Sequence, residues 1–241
     1  DGAGKGNLSI AAGAGFDLGG FSETLNGLGG GGVVDNSSST QATFTVGANN
    51  AAGTFSGSIR NTGAALSLAK SGSGTLTLEG SNTYTGTTTI NGGTLVAIGG
   101  GAIPDTSAVS LANVSGASLV LGASESIGSL SGGGSTGGTI NLQANTLAIN
   151  QSATTTYGAA ISGAGGSLVK NGTGTLTLSA VSGYNGSLNI QNGTLVATAG
   201  TSGDASALGS GTTAITVGDG ATLRFATNNR TCGIHSGPAT I

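Results

Sequence analysis

Lys70 to Ala97 reads KSGSGTLTLEGSNTYTGTTTINGGTLVA, and Lys170 to Ala197 reads KNGTGTLTLSAVSGYNGSLNIQNGTLVA. The two stretches align without a gap at a spacing of 100 residues, and 15 of their 28 positions are identical. Self-similarity at a fixed period marks a repeat architecture, in which each unit buries its apolar face against its neighbours. Weaker echoes extend the period. Glu23 to Leu28 is matched by Glu125 to Leu130, and Gly116 to Leu121 by Gly220 to Phe225. The expected organisation is one continuous segment: a first module over 1–97, a second over 98–197, the start of a third over 198–229, and an atypical tail over 230–241.

The period inside each module is two. Thr75-Leu76-Thr77-Leu78 and Thr175-Leu176-Thr177-Leu178 alternate polar with apolar, as do about ten other runs of three to five residues ending in Gly, Asn or Ser. Short alternating runs between such residues predict strands and turns. No amphipathic window predicts a helix. Strands this short are stable only when stacked. The expectation is therefore a coil of parallel strands about 4.8 Å apart, with inward Leu, Ile and Val and outward Thr, Ser and Asn. At roughly 20 residues per turn the chain would make about 12 turns and a rod of about 55–60 Å. The paired glycines at 72, 74, 86 and 93, repeated 100 residues on, are expected where the backbone turns.

Composition narrows the function. The chain has 50 Gly, five Phe, three Tyr and no Trp or Met, and only 6% of its residues are charged. Mean hydropathy is +0.21, unlike a solvated disordered polymer. The six Lys and Arg are scattered, so no basic patch offers to neutralise phosphates, and nucleic acid is not an expected partner. No apolar run approaches a membrane-spanning length, so this segment is not expected to insert into a membrane. The chain opens at Asp1 without an export leader, which reads as a processed product or a piece of something longer.

The run K-x-G-x-G-T-L-T-L, then Tyr-x-Gly, then I-x-x-G-T-L-V-A, at Lys70–Ala97 and again at Lys170–Ala197, resembles the passenger-associated repeat of autotransporters. The resemblance implies an all-β fold, a right-handed parallel β-helix (solenoid). It also implies export through the periplasm of a Gram-negative bacterium, across the outer membrane, to the cell surface or beyond. Such passengers commonly serve as adhesins, stalks or aggregation factors, so a surface ligand (a host or matrix glycan or protein) or self-association is the implied partner.

Candidate chemistry is sparse. Gly133-Gly134-Ser135-Thr136-Gly137 fits G-x-S-x-G, a chance match in so Gly- and Ser-rich a chain. Cys232 and His235, in the tail, are too few for a zinc site and too close in sequence for an ordinary nucleophile–base pair. Glycoside hydrolysis needs two neighbouring carboxylates. Asp17, Glu23 and Asp35 lie close in sequence, and stacking could bring Asp105 to Glu125. Two solvated turn carboxylates are the plainer reading of that last pair. No cofactor and no catalysis are expected. Tyr84 and Tyr184, equivalent in the two modules, are the candidate exposed contact residues, unless each phenol packs over Gly86 or Gly186. Lys70 and Lys170 are expected to serve the turns. The leading function is an extracellular stalk or adhesin. A self-assembling filament subunit and a polysaccharide-degrading β-helix enzyme are the alternatives.

Overall fold

The computed structural model describes residues 5–198, 206–210 and 213–226. All of its regular elements are strands, of two to five residues, and their ladders are parallel. They form a parallel β-solenoid of about 9 turns. The coil has three faces. A ten-stranded sheet makes one, an eight-stranded sheet the second, and a three-stranded and a five-stranded sheet share the third. Chain order visits them cyclically. Thr75–Leu78 lies on the eight-stranded sheet, Thr88–Ile90 on the ten-stranded one, and Thr94–Ala97 returns to the eight-stranded one. The expected count of turns was too high because a turn takes more than 20 residues in places. Gly15 pairs with Val33, 18 residues on, but Thr194 pairs with Thr222, 28 residues on.

The period-two pattern sends every second side chain inward, where like stacks on like. Leu76, Leu95, Leu119, Ile140 and Ile161 form one such column, all fully buried. At the last described turn the inward columns end on Ile215, Val217 and Phe225, which are exposed.

The repeated glycines serve two ends. Gly72 and Gly172 have φ of 63° and 72°, the left-handed region that disfavours side chains. Gly86 and Gly186 have ordinary φ, but a Cβ there would collide with the backbone carbonyls of Leu66 and Gly166 in the adjoining turn.

The third face lapses between its two sheets, from Ile59 to Glu125, and side chains carry the ladder across. Buried Asn82 accepts from the Ile59 N–H through Oδ1 at 2.7 Å and donates through Nδ2 to the Ala102 carbonyl at 2.7 Å. Glu125 Oε1 accepts from the Ile103 N–H at 3.4 Å. On the ten-stranded sheet, buried Gln151 does the same for Leu130, whose N–H meets Gln151 Oε1 at 3.3 Å. On the eight-stranded sheet the Ser182 hydroxyl accepts from the Ile161 N–H at 3.2 Å.

Asn82→Leu keeps the branching at Cγ but orphans the Ile59 N–H and the Ala102 carbonyl. At roughly 1–3 kcal/mol per buried unpaired group, a loss of about 2–5 kcal/mol is expected. It should read out as a lower urea midpoint, with amide exchange accelerating first near Ile59 and Ala102.

Candidate functional site

The repeat motif is the natural place to look for a site, because its identical residues demand a reason. Lys70 ends the strand Leu66–Lys70 in an inward column, between Val46 and Ile90 on the neighbouring turns. Its side chain is fully buried. The ammonium donates to the carbonyls of Ser71, Gly72 and Gly92 at 2.6, 3.1 and 3.1 Å. Lys170, between Ile149 and Ile190, repeats this with Asn171, Gly172 and Asn192 at 2.7, 2.9 and 3.2 Å. Each lysine thus clips the turn that follows its own strand to the corresponding turn one coil later. Burial pulls the Lys70 pKa down to about 8, and Lys170 moves in the same direction. Three carbonyls oppose that pull, since only the ammonium has a proton for each. The turn role expected for these lysines is what the geometry displays.

Tyr84 and Tyr184 are a correction. Both are fully buried and neither offers its ring to a partner outside. The reason is parity: residues 82 and 84 both point inward with Thr83 outward between them, and the same holds around Gly183. The Tyr84 hydroxyl bonds Thr88 Oγ1 at 2.6 Å, which bonds Ser107 Oγ at 2.9 Å, which donates to the Gly86 carbonyl at 2.9 Å. The Tyr184 hydroxyl is buried without a partner among the described residues.

The acid pairs fare no better as a reaction centre. Glu125 stands in the inward column that Leu147, Leu168 and Leu188 continue, and is 3% exposed. Its Oε2 has no hydrogen-bond partner among the described residues, whereas Asp105 is exposed. Burial, with a smaller push from the Asp105 charge, raises the Glu125 pKa to about 7. The pair is therefore one inward and one outward carboxyl, not two solvated ones. Asp17 and Asp35 sit in register on adjacent strands, and each is already engaged. Ser37 and the Gly19 N–H bond Asp17, holding its pKa below the usual range, and Arg60 pairs with Asp35 at 3.0 Å. Glu23 lies on another sheet. The G-x-S-x-G run is a turn between two strands, with Asn113 accepting from the Thr136 N–H. No group of three or more metal-ligating side chains occurs among the described residues. Cys232 and His235 lie outside them.

What sequence reading missed is a matter of register. On the ten-stranded sheet, Thr24, Thr45, Ala69, Thr89, Ser110 and Ser131 stack outward on consecutive turns. Thr156, Thr177, Val196 and Arg224 continue the column. The parallel column two residues earlier carries Ser or Thr on every strand except at Ala108. The alternation T-x-T was visible, but only the pairing puts these hydroxyls in line.

Residues 68–97 and 168–197 match the passenger-associated-transport-repeat. Among curated proteins, the adhesin BmaC autotransporter of Brucella suis biovar 1 is 47% identical over 146 residues, which cover 59% of this chain and 4% of that protein. The chain therefore spans a small fraction of the length of that relative. No solved structure matches the chain.

The buried Glu125 carboxyl gives a signed pH prediction. In the folded chain it keeps its proton to about pH 7, while unfolded it ionises near its ordinary 4.5. Its contribution to stability is complete below 4.5, falls as pH rises, and is gone above 7. Urea midpoints should drop between about pH 4.5 and about pH 7, and Glu125→Gln should flatten that drop.

Proposed function

We propose, from the premise that a chain carrying two passenger-associated-transport repeats on a parallel β-solenoid is a segment of an autotransporter passenger, that this segment is an adhesive stalk without catalysis. A passenger segment of this kind is secreted to the cell surface. The observation that carries the reading is the use made of the repeat's identical residues. Lysine, tyrosine and glycines all go into the interior and the turns. What remains for partners is the long polar exterior, suited to many weak contacts summed along the rod. The relative's description as an adhesin supports the same reading. The modules would then be units of length, each adding surface without adding a new site. The partner would be a host or matrix glycan or protein.

Beads coated with the purified chain should bind cells or extracellular matrix, with retention growing more steeply than coating density, as summed weak contacts require. Cleavage of a polysaccharide panel by the purified chain would overturn the non-catalytic reading.

A second reading is end-to-end self-association, because the parallel ladders run from turn to turn and can continue from one copy into the next. Electron microscopy at high concentration decides it. Filaments support it, and monodisperse short rods reject it.

A further inference from the structure

The ten-stranded sheet presents two outward columns of hydroxyls, and the way they are built sets them apart from the other exterior residues. Along each column the hydroxyls repeat at the strand spacing of about 4.8 Å, and the two columns stand about 6.5–7 Å apart, two residues along the strand. The columns of the ten-stranded sheet are interrupted at Ala69, Ala108, Val196 and Arg224, and those of the eight-stranded sheet are broken more heavily, by Gly27 and Gly29 at one end and by Val96 and Val120 in the middle. The bias follows the face rather than the repeat. Thr89 lies on the hydroxyl face, and its counterpart 100 residues on, Asn189, lies on another face and has no hydroxyl.

The hydroxyls of one column are also free, whereas in the other Ser22 accepts from the Thr43 N–H and Ser67 from the N–H and hydroxyl of Thr87. Elsewhere, exterior polar groups are spent within the chain, as where Asn26 Oδ1 accepts from the Asn49 and Ala51 N–H groups, or Asn61 Oδ1 from that of Thr85. The hydroxyls of Thr45, Thr89, Ser110, Ser131, Thr156 and Thr177 have no partner among the described residues. Each can donate one hydrogen bond and accept two. The columns hold no carboxylate, and their one cation, Arg224, stands on the last turn.

These facts select the partner. A nearly uncharged face gives an anionic polymer nothing to neutralise. It has no aromatic ring and, apart from that terminal Arg224, none of the side chains that anchor a compact protein interface. Its area is roughly 43 Å by 10 Å, about half of the ~800 Å² per partner of a stable specific pair, so a second copy of the chain is a poor fit. A partner that repeats its own hydrogen-bonding groups along an extended surface can meet every turn. We propose that the hydroxyl face of the ten-stranded sheet is the docking surface for an uncharged, polyhydroxylated polymer, a neutral glycan displayed as an extended array. This rests on the adhesive reading and names its surface and ligand class.

The test uses the full chain with cellulose microcrystals and dextran resin as neutral probes and dextran sulfate as the anionic one. Retention on a neutral probe, unchanged by a severalfold rise in salt, is expected. Thr45→Val, Thr89→Val and Thr177→Val together keep shape and strand preference while removing three hydroxyls. They should weaken retention about tenfold or more. Thr75→Val, Thr94→Val and Thr139→Val, on the eight-stranded sheet, should leave it unchanged, with circular dichroism confirming the fold of both variants. Equal loss from both sets, or salt-sensitive retention on dextran sulfate alone, overturns the proposal. So does a dimer that the first variant dissolves, in the absence of glycan retention. A chain that binds cells but no neutral glycan sinks this inference and spares the adhesive reading. A chain inert to both sinks the two together.

Discussion

Every backbone N–H and C=O that points along the axis of this coil must find its complement on the next turn. Among the described residues no strand exceeds five residues, and none could hold its conformation alone. Burial of unpaired amide groups costs too much for gaps to be tolerated. The consequence is visible wherever regular pairing lapses. Asn82, Gln151 and Ser182 each lend a side chain to the backbone where a strand is missing or out of step. The two lysines extend the same logic to the turns, where three carbonyls converge with no amide to receive them.

That requirement explains why the conserved look of the repeat is a poor guide to a site. The residues most alike in the two copies are consumed by the interior. A lysine without a carboxylate, two buried phenols and glycines pressed against neighbouring carbonyls are parts of the scaffold. The charges that remain are few, and the ion pair among the described residues is Asp35–Arg60. The exterior is left to hydroxyls and amides, and a surface of that kind gathers strength by extent.

Much of the fold was legible in the sequence. Thr75–Leu78, Thr94–Ala97 and Ser118–Leu121 are strands where alternation predicts them. Gly27–Gly30 was not readable as a strand, because glycines stand where the pattern asks for side chains; at Gly30 a Cβ would collide with the Ile10 carbonyl of the adjoining turn. Strands of two residues, such as Ser58–Ile59, are too short to show any period. The tyrosines misled because parity resets at each turn, and whether residue 84 faces in depends on Asn82, a polar residue that reads as surface. Glu125 misled for the same reason. The hydroxyl columns needed the register between turns of unequal length, which no local pattern contains.

One relation between sequence and shape remains. Leu66–Lys70 lies on the ten-stranded sheet, and four revolutions later the same sheet is reached at Thr155–Tyr157. The matching strand of the second copy, Ser167–Asn171, comes two faces further on, in the five-stranded sheet. The repeat is thus out of phase with the winding, and its two copies look in different directions. Duplicating such a unit lengthens the shaft and also rotates whatever is carried beyond it, so that three successive duplications are needed before the distal end regains its original bearing.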